Sequence, residues 1–255
     1  MPEEATFERE MHALLEQLRV CMAMSSADLE IVAQAVRLAA ARIPADGHFT
    51  ESDLRDAIAA TITQLAESAP GEARLATAEV KMGELPGWDP SDPPGKFDLA
   101  FGPDHRDRLR SEATLLVEVK WSDHNTFSHS LWDAAKLIGG LAKRADHVVL
   151  VGGWPIAVWD CAPCAALYQT GVVDYAALAA IPGEWASLHK HRQGRALALP
   201  RELRVTELAT VSIPRGEETW KLRAVTIEPA AAGWLSLNDG LVDGAIPLEE
   251  RDEPL

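Results

Sequence analysis

Nothing in this 255-residue chain approaches the roughly 18 consecutive apolar residues a membrane helix needs, so no membrane partner is expected. The opening stretch, Met1-Pro2-Glu3-Glu4-Ala5-Thr6-Phe7-Glu8-Arg9-Glu10, is acidic and lacks the basic-then-apolar build of a signal peptide, which makes a cytoplasmic location the expectation. Cysteine is scarce. Cys21, Cys161 and Cys164 cannot make a disulfide framework, and the single C-x-x-C at 161–164 has no second pair to form a zinc ribbon. It also lacks the early strand-to-helix context of a thioredoxin-type redox site, so these read as incidental reduced thiols. Lysine is missing from residues 1–72, which hold 5 Arg against 13 Asp and Glu. No internal repeat or low-complexity tract is visible.

What is present is enough to build a large core, since 47% of the residues are hydrophobic and 25% charged. The net charge of −15 argues against a uniformly phosphate-binding surface. That acidity is concentrated in the flanks: residues 1–72 carry −8 and 224–255 carry −6, whereas 184–223 carry +3. Local fields, not the total, decide where an anion can bind.

The N-terminal third reads as helical. Phe7, Met11, Leu14, Leu15 and Leu18 recur at helical spacing, and a second helix starts from the Ser25-Ser26-Ala27-Asp28 capping signal and runs toward Pro44. These two form either a small appendage or a layer on a sheet. Thr50-Glu51-Ser52-Asp53 caps a third helix to about Glu67. Strands follow at 75–82, 96–101 and 115–121, then a helix at about 130–142 and an apolar strand at 147–151. Gly152-Gly153-Trp154-Pro155 reads as a sharp turn, 156–159 as a short strand, and 174–180 as a helix. The runs 203–213 and 220–227 should pair as a hairpin, and the acidic tail 248–255 reads as disordered. The division is thus 1–48 helical, 49–183 core, 184–247 a β-containing extension of the core, and 248–255 a tail.

The chemistry points to one strand pair. Lys96-Phe97-Asp98-Leu99-Ala100-Phe101 and Leu115-Leu116-Val117-Glu118-Val119-Lys120-Trp121 each carry charge inside an apolar run. Side chains alternate along a strand, so Glu118 and Lys120 share a face, and Asp98 stands beside it if the strands pair. Two carboxylates meeting at a sheet suit a hard divalent cation, Mg²⁺ or Mn²⁺, with the Val119 carbonyl as a third oxygen. Lys120 would orient an attacking water or stabilise charge on phosphorus. These parts suit metal-assisted phosphodiester hydrolysis.

Asp98 with Glu118-Val119-Lys120, set in an α-β-β-β-α-β order, resembles the PD-(D/E)xK nuclease superfamily over about the middle half of the chain. The resemblance implies an α/β restriction-endonuclease-like fold, with a mixed central sheet flanked by helices, an N-terminal helical region and a C-terminal β extension. It also implies a metal-dependent nuclease acting on nucleic acid, DNA foremost, with Asp98 and Glu118 as metal ligands and Lys120 as catalytic lysine. Asp98 departs from the family pattern in following Phe97 where a proline is common. The family often adds a glutamate from the first helix. Glu51 and Glu67 sit at its two ends, and Glu67, nearer the next strand, is preferred. Glu79, in a second E-x-K at 79–81, and Lys136, on the following helix, are accessory candidates, as are His124 and His129. Lys190, Arg192 and Arg195 form the most basic patch and are the expected nucleic-acid contact. Trp88, in the Pro- and Gly-rich loop 83–95, could stack on a base or lie buried beneath the loop. Relatives that cut two strands leave room for a homodimer. The competing reading is a non-catalytic interaction or immunity-type protein whose acidic flanks bind a protein partner.

Overall fold

Strand β3 (Leu115–Trp121) is apolar on both faces as far as Val117, and a strand of that kind is stable only at the centre of a sheet. The computed structural model, which describes residues 27–68, 74–81, 96–103, 115–121, 128–143, 145–181, 197–230, 233–237 and 248–251, places it there. β1 (Arg74–Lys81) and β2 (Lys96–Pro103) lead into it as an antiparallel meander. Helix α3 (Ser128–Lys143) then crosses over to β4 (His147–Pro155), which lies parallel to β3. β7 (Glu202–Arg215) and β8 (Glu218–Pro229) pair as the expected hairpin, and β8 joins β4. With β5 (Gly171–Asp174) on β7, the seven-stranded mixed sheet runs β1-β2-β3-β4-β8-β7-β5.

Two apolar layers cover the sheet. On one face, Leu131, Ala134, Ala135, Leu137 and Ile138 of α3 pack on Leu116, Val148, Leu150 and Val225. On the other, helix α1 (residues 27–40) and α2 (Glu51–Ser68) set Val32, Val36, Leu54, Ile58 and Ile62 against Leu99, Val117, Val149 and Val151. Each such fully buried Val, Leu or Ile side chain contributes roughly 1.5–3 kcal/mol. α1 therefore packs into the same core as α2. Thr50 caps α2: its N–H donates to Asp53 Oδ2 at 2.8 Å, and the Asp53 N–H returns to Thr50 Oγ1 at 3.1 Å.

Three local expectations are corrected. Gly152-Gly153-Trp154-Pro155 is not a turn, because β4 stays paired with β8 as far as Pro155–Trp220. The glycines are there for clearance: a Cβ at Gly152 would collide with the Trp154 and Tyr168 rings, and one at Gly153 with Trp121. Residues 156–159 are not a strand but part of helix α4 (Ile156–Cys161), because tertiary contacts override β propensity. The Trp159 ring packs edge-on against Trp154 and Tyr168, and its indole N–H donates to the Lys221 carbonyl at 2.9 Å. The tail is ordered at its start. β10 (Leu248–Arg251) pairs with β9 (Trp234–Leu237), which pairs with β6 (Leu197–Pro200) in a second, three-stranded sheet. The helix expected at 174–180 is α5 (Tyr175–Ala179), capped by Asp174, which accepts from the Ala177 N–H at 2.8 Å.

Candidate active site

Alternation along β3 sends Leu115, Val117, Val119 and Trp121 into the α1/α2 layer and leaves Glu118 and Lys120 toward α3. The β2–β3 pairing runs from Phe101–Leu115 to Leu99–Val117 and stops. One step further in that register Asp98 would face Glu118. At this point the Asp98 carboxylate accepts the Val119 N–H at 2.7 Å. The ladder thus opens where both sequence-predicted acids stand.

α3 closes the site from above. Its residues 131–138 are all buried, including Asp133 and Lys136, which are 2% and 8% exposed. Charges so deep must be paired. The Lys136 ammonium donates to Glu118 Oε1 at 2.6 Å and to the Lys96 carbonyl at 3.1 Å, and lies 3.0 Å from Asp133 Oδ1. The other Asp133 oxygen is buried without a hydrogen bond, 3.3 Å from the Lys120 ammonium. Lys120 reaches the opposite way to Glu51 Oε1, also at 3.3 Å. Glu51 opens α2 and comes within 3.5 Å of the Trp121 N–H.

Counted as ordinarily ionised, Glu51, Asp98, Glu118 and Asp133 against Lys120 and Lys136 leave a net charge of −2. Burial pushes the Glu118 carboxyl well above the usual glutamate range, and the negative charges of Asp133 and Asp98 add to this against the pull of Lys136. Burial also raises Glu51, with Lys120 opposing. Asp133 goes the other way. Burial disfavours its charge, but Lys120 and Lys136 together outweigh burial and hold it low. Burial likewise disfavours the charge on each lysine. Asp133 with Glu51 at Lys120, and Asp133 with Glu118 at Lys136, outweigh it and keep both protonated. In this arrangement the neighbouring carboxylates favour the charged form of both lysines.

The other sequence candidates fall elsewhere. Glu67 is exposed at the far end of α2, and its place is taken by Glu51, sixteen residues earlier and about 24 Å away along the helix. The reason is the direction of α2, whose first turn, not its last, reaches β3. Glu79 is exposed on β1 in the left-handed region, with φ of 52°, and pairs with Arg55 at 3.0 Å and Lys96 at 3.2 Å outside the buried cluster. His129 is exposed on α3. His124, Trp88, Lys190, Arg192 and Arg195 lie outside the described residues. Asp133 is the site residue that sequence reading missed. Its signal was an i, i+3 acid–lysine pair, Asp133 and Lys136, inside a helix apolar on every side.

Among the described residues no group of three His, Cys, Asp or Glu side chains is arranged to hold a metal ion. A magnesium-type ion needs fewer, commonly one or two carboxylates with water and substrate oxygens. Asp98, Glu118 and the Val119 carbonyl are hard oxygen donors of that kind. The cluster's formal excess of two negative charges is what a divalent cation would offset. The residues therefore fit such an ion. A scan against protein-family models found no match, and searches of curated proteins and of solved structures found none either.

Proposed function

We propose that this chain is a divalent-metal-dependent nuclease on a PD-(D/E)xK, restriction-endonuclease-like core, with DNA the first substrate class to test. The observation that carries this reading is the opened β2–β3 ladder, with Asp98 and Glu118 across it and Lys120 two residues beyond Glu118. The β1-β2-β3 meander followed by α3 and a parallel β4 supports it as well. Asp98, Glu118 and the Val119 carbonyl would hold the ion, which when bound supplies Lewis-acid stabilisation of the scissile phosphate and a more acidic water. Lys120, its charged form favoured by Asp133 and Glu51, contributes positive charge where charge develops on phosphoryl oxygen and orients the attacking water by donating to it. Glu51 and Asp133 hold its ammonium from two sides, so little reorganisation is needed as charge builds. The test is cleavage of labelled single- and double-stranded DNA and RNA with Mg²⁺ or Mn²⁺. Wild type should cut, and Asp98→Ala and Lys120→Ala should not, each with its fold retained by circular dichroism. Wild type inert on all substrates with either metal would refute the reading.

One observation favours a second reading, a non-catalytic protein that binds a basic protein partner through its acidic flanks. Lys136 already neutralises Glu118 at 2.6 Å. Under that reading Lys120→Ala leaves function intact, whereas deleting the acidic flanks abolishes partner binding.

A further inference from the structure

The Lys136 ammonium is seated as a bound cation would be. Three oxygens surround it: Glu118 Oε1 at 2.6 Å, Asp133 Oδ1 at 3.0 Å and the Lys96 carbonyl at 3.1 Å. It bridges β2 and β3, the two strands that carry the proposed metal ligands, because Lys96 lies two residues from Asp98 and Glu118 is the second ligand. We propose that Lys136 is a built-in competitor for Glu118, an internal cation that must release this carboxylate before a divalent ion can be held, and that it thereby sets the metal affinity of the site. This deepens the nuclease reading and rests on it.

The local geometry makes the exchange feasible. Asp133, one helical turn away on the same rigid helix, remains a partner when Lys136 lets go of Glu118, so the ammonium is never buried without a counter-charge. A divalent ion at Glu118 would lie within a few ångströms of the ammonium in a site that excludes most water, where like-charge repulsion is only weakly screened. Lys120 does not play this part. Its ammonium is held by Glu51 and Asp133, each at 3.3 Å, so it can stay in place as Glu118 changes cations.

The experiment is calorimetric titration with Mn²⁺ alone, with no nucleic acid, on full-length wild type, Lys136→Met, Lys136→Arg and Lys136→Met/Glu118→Gln. Lys136→Met removes the charge at similar length and should bind Mn²⁺ more tightly than wild type by about tenfold or more. Lys136→Arg keeps the charge and should show no gain, and the double variant should lose the gain. Detectable binding in Lys136→Met when wild type shows none supports the same conclusion. Equal or weaker binding in Lys136→Met than in a wild type that does bind overturns the competitor role and leaves the metal site standing. No binding in either overturns both. If Lys136→Met does not fold alone, thermal unfolding with and without Mn²⁺ decides. Recovery of a cooperative transition with Mn²⁺ supports the competition, and failure to recover it counts against.

Discussion

Asp133→Asn is the sharpest probe of how the cluster is held together. The substitution keeps volume and one hydrogen-bonding oxygen but deletes the charge that lies 3.0 Å from Lys136 and 3.3 Å from Lys120. Glu118 and Glu51 would then be the remaining carboxylate contacts of two ammoniums whose side chains are 8% and 14% exposed, with the Lys96 carbonyl still accepting from Lys136. Removing one partner from a buried pair costs about 3–5 kcal/mol, and because Asn still offers a carbonyl the lower end, about 3 kcal/mol, is expected. With a urea slope of about 3 kcal/mol/M, the unfolding midpoint should fall by about 1 M. The loss should depend on pH in a definite direction. Lys120 and Lys136 hold the Asp133 carboxyl below its ordinary range, so the folded protein gives up a proton that the unfolded chain keeps. The stabilisation is complete above an unfolded value of about 4 and disappears as pH falls through the lower folded value. Wild type should thus lose its advantage over Asp133→Asn in acid. A loss below about 1 kcal/mol at neutral pH, or an advantage that grows on acidification, would refute the ion-pair account.

Other outcomes follow from the same geometry. Thr50→Ala should cost about 1 kcal/mol in thermal unfolding, since it removes the cap of the helix that carries Glu51, and it should loosen Lys120 as a side effect. Gly152→Ala should cost about 3 kcal/mol or prevent folding by calorimetry, because the new methyl group meets the buried Trp154 and Tyr168 rings. Lys120→Arg should recover part of the cleavage lost in Lys120→Ala, because the charge remains while the geometry shifts, and gel assays under one metal condition would read this. Glu67→Ala should leave stability and cleavage unchanged within error, as expected of an exposed residue at the far end of α2.

The strand pair and its charges were legible because acids and a lysine inside valine runs are rare without a purpose, and Asp98, Glu118 and Lys120 stand together as those patterns suggested; Lys136, expected near them only from the family resemblance, joins them from α3. The hairpin 203–227 was legible for a related reason, since two alternating runs flank a Pro- and Gly-containing turn. Choosing between Glu51 and Glu67 was beyond sequence, because both ends of an amphipathic helix look alike until its direction over the sheet is known. Gly152 and Gly153 misled because glycine signals turns and close packing with the same letter, and only the neighbouring rings tell them apart. The β10 segment misled because its acidity suggested solvation, yet backbone pairing to β9 does not depend on side-chain charge.

The β7–β8 turn reaches back across most of the chain. The Gly216 N–H donates to the Ala45 carbonyl at 2.9 Å, and Arg215 donates to the Gly47 carbonyl at 2.8 Å while lying over the stacked rings of Trp121 and Trp220. Those contacts brace the segment that leads into Glu51. During synthesis from the N-terminus, Asp98, Glu118, Lys120, Asp133 and Lys136 all leave the ribosome before the brace does. The Glu51 side of the site is therefore closed late, by residues about 165 positions downstream, a long loop whose closure makes folding slow. A nascent or C-terminally truncated chain ending before Arg215 holds the charged residues without the contacts that brace the segment leading into Glu51.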